Sequence, residues 1–213
     1  MQKWPSGTVA TARWLEKLGV SRQQRSYYLK SGWMEKLSAG AYKRPGEHIS
    51  WPGALYTLQY MENIPLRIGG KSALYFHGLM HYVNLNRINR LVLWQDRGSS
   101  VPAWFKKQDW EVKVEYRFKK LFGSVEKKLS LKQVYNFELK LSTPEQAVFE
   151  YLYELPNNES FDEAHYVMEG LMTLRPNVVQ KLLESCTSVK VKRLFMYLAE
   201  RYDHRWLKSI NLS

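Results

Sequence analysis

Between Ser21 and Arg44 the chain concentrates side chains that can read or hold a nucleic acid. Ser21, Arg22, Gln23, Gln24, Arg25 and Ser26 follow one another. Arginine can donate two parallel hydrogen bonds to a guanine edge, and glutamine pairs in the same two-point manner with adenine. Lys30, Lys36, Lys43 and Arg44 come next, and Glu35 is the lone acid of the stretch. A second pattern is Glu111-Val112-Lys113, with Asp96 upstream. On one strand face such acids hold a divalent cation and the lysine helps position water, as in metal-dependent nucleases. A half-exposed strand of a basic protein shows the same alternation without a site, and Glu115 continues it. His77 and His81 would share a face of a continuous helix, but Gly78 weakens that helix and no glutamate completes a zinc-hydrolase arrangement. Gly69-Gly70-Lys71-Ser72 ends like a phosphate-cradling loop. The upstream glycine of that motif is missing at its spacing, so a glycine turn entering a helix is expected instead. Order alone gives no Ser/His/Asp grouping. The expectation is no catalytic residue, no metal and no cofactor.

The basic stretch needs elements that present it. Val9, Ala12, Trp14, Leu15 and Leu18 recur at helical spacing, with Thr8 as a candidate cap and Gly19 ending the run. Ser21 can cap a second helix that runs to Gly32. Its N-terminal end would read bases, and Tyr28 and Leu29 would hold it against the first helix. Trp33, Leu37, Ala41 and Tyr42 suit two short strands, with Ser38, Ala39 and Gly40 as the turn. Lys43 and Arg44 on the returning strand would anchor this wing on the phosphates. The order is that of a winged helix-turn-helix. The predicted DNA-binding residues are Ser21, Arg22, Gln23, Arg25, Ser26, Lys30, Lys43 and Arg44, with Arg22, Gln23 and Arg25 nearest the bases.

Gly46 and Pro52 bracket a junction, so the expected division is residues 1–47 and residues 48–213. Beyond it, helices are predicted over Gly53–Asn63 and Ser72–Leu79, strands over Arg90–Gln95, Val112–Phe118 and Leu131–Phe137, and a short helix over Pro102–Lys107. The last third turns helical. Thr143-Pro144-Glu145-Gln146 and Ser160 to Glu163 carry cap signals, Pro176 opens a further helix, and Val189–Arg201 makes another. The fold class is α+β: an N-terminal winged helix followed by a larger α+β domain with a helical C-terminal end.

Net charge is +12 over 213 residues, and a phosphate backbone is the commonest reason for such a bias. Lys106, Lys107, Lys113, Arg117, Lys119, Lys120, Lys127, Lys128 and Lys132 form a second basic zone, interleaved with Trp104, Trp110 and Tyr116. It suits a wider DNA footprint, an acidic protein or an RNA; a solvated edge strand guarded by lysines is the plainer reading. The single cysteine, Cys186, excludes an internal disulfide and a cysteine-rich zinc site. No stretch is apolar enough to span a membrane, and the expected location is the cytoplasm.

The run WLEKLGVSRQQRSYYLKSGWMEKLSAGAYKRPG resembles the N-terminal domain of AbiEi antitoxins of type IV toxin–antitoxin and abortive-infection systems. The shared features are a basic second helix, the Gly32-Trp33 step and the Gly40-Ala41-Tyr42 strand. LRIGGKSALYFHGL, with Gly70, Ser72, Ala73, Leu74 and Gly78, resembles the start of the family's C-terminal domain; past Gln95 the likeness is one of general layout. The resemblance implies a repressor that binds operator repeats in double-stranded DNA through the winged helix. It also implies a second domain that counters a nucleotidyltransferase-like toxin or acts at the toxin's RNA target. Two other readings stay open: a metal-dependent nuclease targeted by a winged helix, and a protein-binding antitoxin with little DNA specificity.

Overall fold

In the computed structural model, which describes residues 4–80, 89–96, 100–123 and 129–211, the chain divides into two units. Unit one takes Met1–Leu66, Gly98–Lys113 and Gln133–Leu139, and unit two takes Arg67–Arg97, Val114–Lys132 and Lys140–Ser213. The regular structure opens with a strand, β1 (Ala10–Thr11), ahead of helix α1 (Ala12–Lys17). Thr11 caps α1 by accepting from the Trp14 N–H at 3.0 Å. The sequence predicted helix from Thr8, and the difference has a tertiary cause: Ala10 and Thr11 pair with Tyr42 and Ala41. Helix α2 (Arg22–Lys30) follows, then β2 (Glu35–Ser38) and β3 (Ala41–Lys43). The three strands form an antiparallel sheet in the order β1-β3-β2. Trp33 lies ahead of β2, and Ser38 belongs to the strand, so the turn is Ala39-Gly40, with Gly40 at φ 71°.

Trp4, Ala10, Leu15, Met34 and Met61 form the buried cluster beneath these elements, with Trp14, Val20, Tyr28, Leu29, Tyr42 and Tyr56 packed around it. The second wall of this core is α3 (Trp51–Tyr56), which continues as a π-helical turn over Thr57–Met61. Pro52 stands in its first turn, where its missing N–H costs nothing. Gly53 permits the close approach of this helix: a Cβ there would sit 1.9 Å from the Gly7 carbonyl oxygen.

Unit two contains β4 (Arg67–Ile68), α4 (Gly70–Phe76) and β5 (Arg90–Gln95). The short helix α5 (Ala103–Lys106), which belongs to unit one, precedes in the chain the strands β6 (Lys113–Phe118), β7 (Leu129–Val134) and β8 (Phe137–Ser142). The sheet order is β6-β5-β4-β8-β7, with β4 antiparallel to β5 and parallel to β8. A single predicted strand over Leu131–Phe137 proves to be the meeting point of two. Tyr135, at φ 51°, makes the turn between them. The helices α6 (Pro144–Tyr153), α7 (Phe161–Gly170), α8 (Pro176–Ser185) and α9 (Val189–Arg201) begin where the proline and cap signals place them. Thr143, Ser160 and Ser188 each accept from the backbone N–H three residues on. The α6 residues Glu145 through Leu152 are all buried, and Phe149 stacks on Phe195 of α9 with centroids 4.5 Å apart. Side chains of this kind contribute about 1.5–3 kcal/mol each on burial.

Candidate nucleic-acid interface

Helix α2 is fastened at both ends by its own sequence. The Ser21 hydroxyl accepts from the Gln24 N–H at 3.2 Å, and the Gln24 side chain accepts from the Ser21 N–H at 2.8 Å. This reciprocal box satisfies two of the donors that a helix start leaves unpaired. At the other end Gly32 takes φ 72°. Its N–H donates to Leu29 O at 3.3 Å, and the Trp33 N–H donates to Tyr28 O at 2.9 Å. These paired bonds stop the helix and turn the chain toward β2.

Between the two caps the helix shows two faces. Arg22, Gln23, Ser26, Tyr27 and Lys30 are exposed, whereas Tyr28 and Leu29 pack on the buried cluster. The exposed set recurs at the spacing of one helix face and contains no acid. It holds a guanidinium, an amide, a hydroxyl, a phenol and an ammonium, a mixture able to donate to and accept from base edges and phosphates.

Arg25 is not on that face. It is 7% exposed, and its guanidinium donates to Glu16 Oε1 at 2.8 Å and to Val20 O at 3.0 Å. The expectation that Arg25 lies nearest the bases therefore does not match its placement: it ties α2 to α1 and to the turn between them. Lys43 and Arg44 are also engaged by the chain itself. Lys43 Nζ lies 3.0 Å from the Glu35 carboxylate and donates to Glu47 O at 3.0 Å. The hydrogen bond from Lys43, helped by the Gly46 N–H, holds the Glu35 carboxyl below its ordinary range. Arg44 donates to the Trp4 carbonyl, and its guanidinium stands 5.6 Å from the Trp4 ring centroid. The exposed cation of the hairpin is Lys36 on β2, which composition had counted but no motif had singled out. Tyr27 is exposed on the polar face of α2, although an aromatic residue in a helix reads from sequence as core.

The other sequence candidates do not assemble. Glu111 precedes β6 in a left-handed conformation, φ 58°, so it leaves the strand face on which its pairing with Lys113 depended. Asp96 lies 3.7 Å from the Arg67 guanidinium. Among the described residues no three His, Cys, Asp or Glu side chains group as a metal ion requires. Helix α4 ends at Phe76, and His77 is its C-cap. Burial lowers the His77 pKa, and its Nε2 lies 2.9 Å from Ser142 O; His81 lies outside the described residues. At the glycine turn an internal carboxylate occupies the place a phosphate would take. The Gly70 N–H donates to Glu150 Oε2 at 2.9 Å, and a Cβ on Gly69 would come within 2.5 Å of that oxygen. Glu150 also accepts from Arg67 at 2.7 Å, Ser142 at 2.8 Å and Gln146 at 2.8 Å.

The two tryptophans of the second basic zone belong to the interior, and Tyr116 is half-buried. Trp104 and Trp110 are 6% and 7% exposed, and the Trp110 indole donates to Phe105 O at 2.7 Å. Burial pushes the Tyr116 phenol up to about 12. Arg117 is held between Glu154 at 2.5 Å and Glu115 at 2.9 Å. Lys107, Lys113, Lys120 and Lys132 are exposed, and Lys127 and Lys128 lie outside the described residues.

Family comparison accounts for all but two residues of the chain. Residues 1–85 match the AbiEi antitoxin N-terminal domain of transcriptional regulators. Residues 88–213 match the transcriptional regulators described as AbiEi antitoxins of type IV toxin–antitoxin systems. The chain belongs to the AbiEi antitoxin family. Its α+β architecture recurs in the crystal structure of the RV2827C protein from Mycobacterium tuberculosis. That match has a TM-score of 0.58 at 15% identity and covers 100% of this AbiEi chain and 79% of the other. No curated protein matches by sequence. Among the described residues of this AbiEi chain no helix is long and apolar enough to cross a membrane.

Proposed function

We propose that this AbiEi-family regulator lowers transcription of its own operon by sequence-specific binding to operator repeats in double-stranded DNA. Residues 1–47 would serve as a winged helix-turn-helix, with α2 in the major groove. Arg22 and Gln23 contact bases. Ser26 and Lys30 extend the contact, and Ser21 sets the start of the helix. Lys43 and Arg44 act chiefly by fixing the hairpin, and Lys36 supplies its phosphate contact. Residues 48–213 form the antitoxin-type part, directed at a nucleotidyltransferase-like toxin or its RNA target. The protein works by stoichiometric binding, without turnover.

One observation carries this reading: α2, capped at both ends and packed through Tyr28 and Leu29, keeps an acid-free polar face clear of its own core. The test is a gel-shift titration on the DNA upstream of the protein's own gene, with scrambled competitor. Specific binding is expected, and Arg22→Ala together with Gln23→Ala should remove the preference for operator over scrambled DNA. A double variant that keeps that preference would overturn the assignment of α2.

A further inference from the structure

Tyr27 is 66% exposed on the same helix face as Arg22, Gln23, Ser26 and Lys30. Its ring meets Tyr28 edge-on, with centroids 6.1 Å apart at 60°. Trp33, at 61% exposure, is accounted for differently: it lies flat on Tyr28 at 14° and so covers the half-buried ring beneath it. Tyr27 meets the same ring only edge-on, and it places an apolar ring at one edge of a face otherwise made of hydrogen-bonding groups. Those groups distinguish guanine and adenine edges, but the feature that marks thymine in the major groove is a C5-methyl group, which only an apolar surface detects. The cationic neighbours Arg22 and Lys30, and the absence of any acid on α2, favour a polyanion over a protein as the partner of this face.

We infer that Tyr27 is a specificity-determining residue of α2, packing its ring against the C5-methyl of a thymine in the operator. The inference rests on the DNA-binding reading of α2. Five residues of helix separate Tyr27 from Arg22, a rise of about 7.5 Å and a rotation of about 140°, so the two side chains meet different base pairs. The thymine therefore lies at a base pair other than the one whose identity Arg22 reads.

The test uses the intact protein and its upstream DNA, replacing each thymine of the footprint in turn by uracil, which removes only the methyl. With the unaltered protein one thymine, at a base pair other than the Arg22-sensitive one, should lose about fourfold in affinity, the worth of one buried methyl. Tyr27→Ala should weaken operator binding by about tenfold and abolish the difference between thymine and uracil there. Tyr27→Phe should keep both. All three proteins should melt at the same temperature, since the side chain is exposed. Binding by Tyr27→Ala at the unaltered level would overturn the inference. So would an unchanged thymine–uracil difference, and so would a loss shared by Tyr27→Phe, which would mark a hydroxyl-to-phosphate contact. If the unaltered protein shows no specific binding, the DNA-binding reading itself has failed, and Tyr27 is not the cause.

Discussion

At the scale of single residues, the same side-chain type does opposite work three positions apart. Arg22 and Arg25 are both arginines at the start of α2, but only Arg22 faces solvent, while Arg25 is closed over by Glu16 and the Val20 carbonyl. Replacing Arg25 by Ala removes charge-assisted hydrogen bonds and the packing of its stem, and should cost about 1–3 kcal/mol. Arg22→Ala should leave stability within about 0.5 kcal/mol while weakening operator binding. Thermal melts set beside gel shifts separate the two roles, and the Arg25 assignment fails if its variant melts as the parent does. A sharper electrostatic test lies at Glu145, which is 2% exposed. Burial pushes its carboxyl up, but hydrogen bonds from the Arg175 backbone and guanidinium at 2.8–3.0 Å hold it below its ordinary value. A depressed folded-state pKa gives stability that is present above the unfolded value and is lost as pH falls through the folded one. Arg175→Ala strands the carboxylate in the interior. Because Arg175 is half exposed, the cost should fall near the low end of about 2–4 kcal/mol at pH 7. The gap from the parent should close as the pH is lowered below about 4.5, where the stranded carboxyl is neutral. Melting curves between pH 3 and 7 would show this, and a gap that stays constant would contradict it.

At the scale of elements, helix ends carry more of the design than helix interiors. The α2 residues RQQRSYYLK have modest helix propensity, and a helix of this length does not stand alone in water. The capping box at Ser21 and the left-handed Gly32 fix its limits. Ser21→Ala should therefore cost about 1 kcal/mol, and Gly32→Ala about 1–2 kcal/mol through its positive φ. Both should weaken DNA binding through the position of α2, since neither side chain reaches a base. Urea titration checks the stability, and a uniform loss of affinity for every operator variant checks the mechanism. A change of base preference in Gly32→Ala would count against it. In the second unit, β4 is held by its interior rather than by its length. Arg67, on a two-residue strand, lies 4% exposed between Ser142 and Glu150. Removing the arginine as Arg67→Met leaves Glu150 short of its charged partner, and the loss should be about 3–5 kcal/mol. Calorimetry should then show the melting point lowered by roughly 6–20 °C for a chain of this size. A melting point within a degree or two of the parent would show that Ser142, Gln146 and the Gly70 N–H suffice.

At the scale of the whole molecule, net charge says that a polyanion is a suitable partner but not which lysines meet it. Of the cations proposed at or beside the DNA, Arg22, Lys30 and Lys36 are exposed, whereas Lys43 and Arg44 are held by Glu35, Glu47 and Trp4. Phosphate contacts from Lys30 and Lys36 give a slope of log K against log salt of about −2 per bound copy, and Lys43 and Arg44 added to them would give about −3.6. The shallower slope is expected, and Lys36→Ala should reduce it by about 1. A slope near about −3.6 would mean that Lys43 and Arg44 leave their internal partners on binding.

What the sequence determined by itself is local. The caps at Ser21, Thr143 and Ser160, the stop at Gly32, the proline at the head of α8 and the alternation of β6 all act within a few residues, so one chain segment is enough to show them. The α+β class, the basic second helix and the AbiEi resemblance follow from the same kind of signal. Tertiary structure decided whatever depends on residues distant in sequence. Thr8 lost its place as a cap because Ala10 and Thr11 pair with Ala41 and Tyr42, about thirty residues on. Glu111 left the strand face that its alternation with Lys113 suggested, the glycine turn closed on Glu150 rather than on a phosphate, and Trp104 and Trp110 went inside. Which arginine of α2 faces solvent was settled by where α1 and the Val20 turn lie. A helical repeat of polar residues states that a face exists, but only the packed neighbours state which of its charges remain free to act.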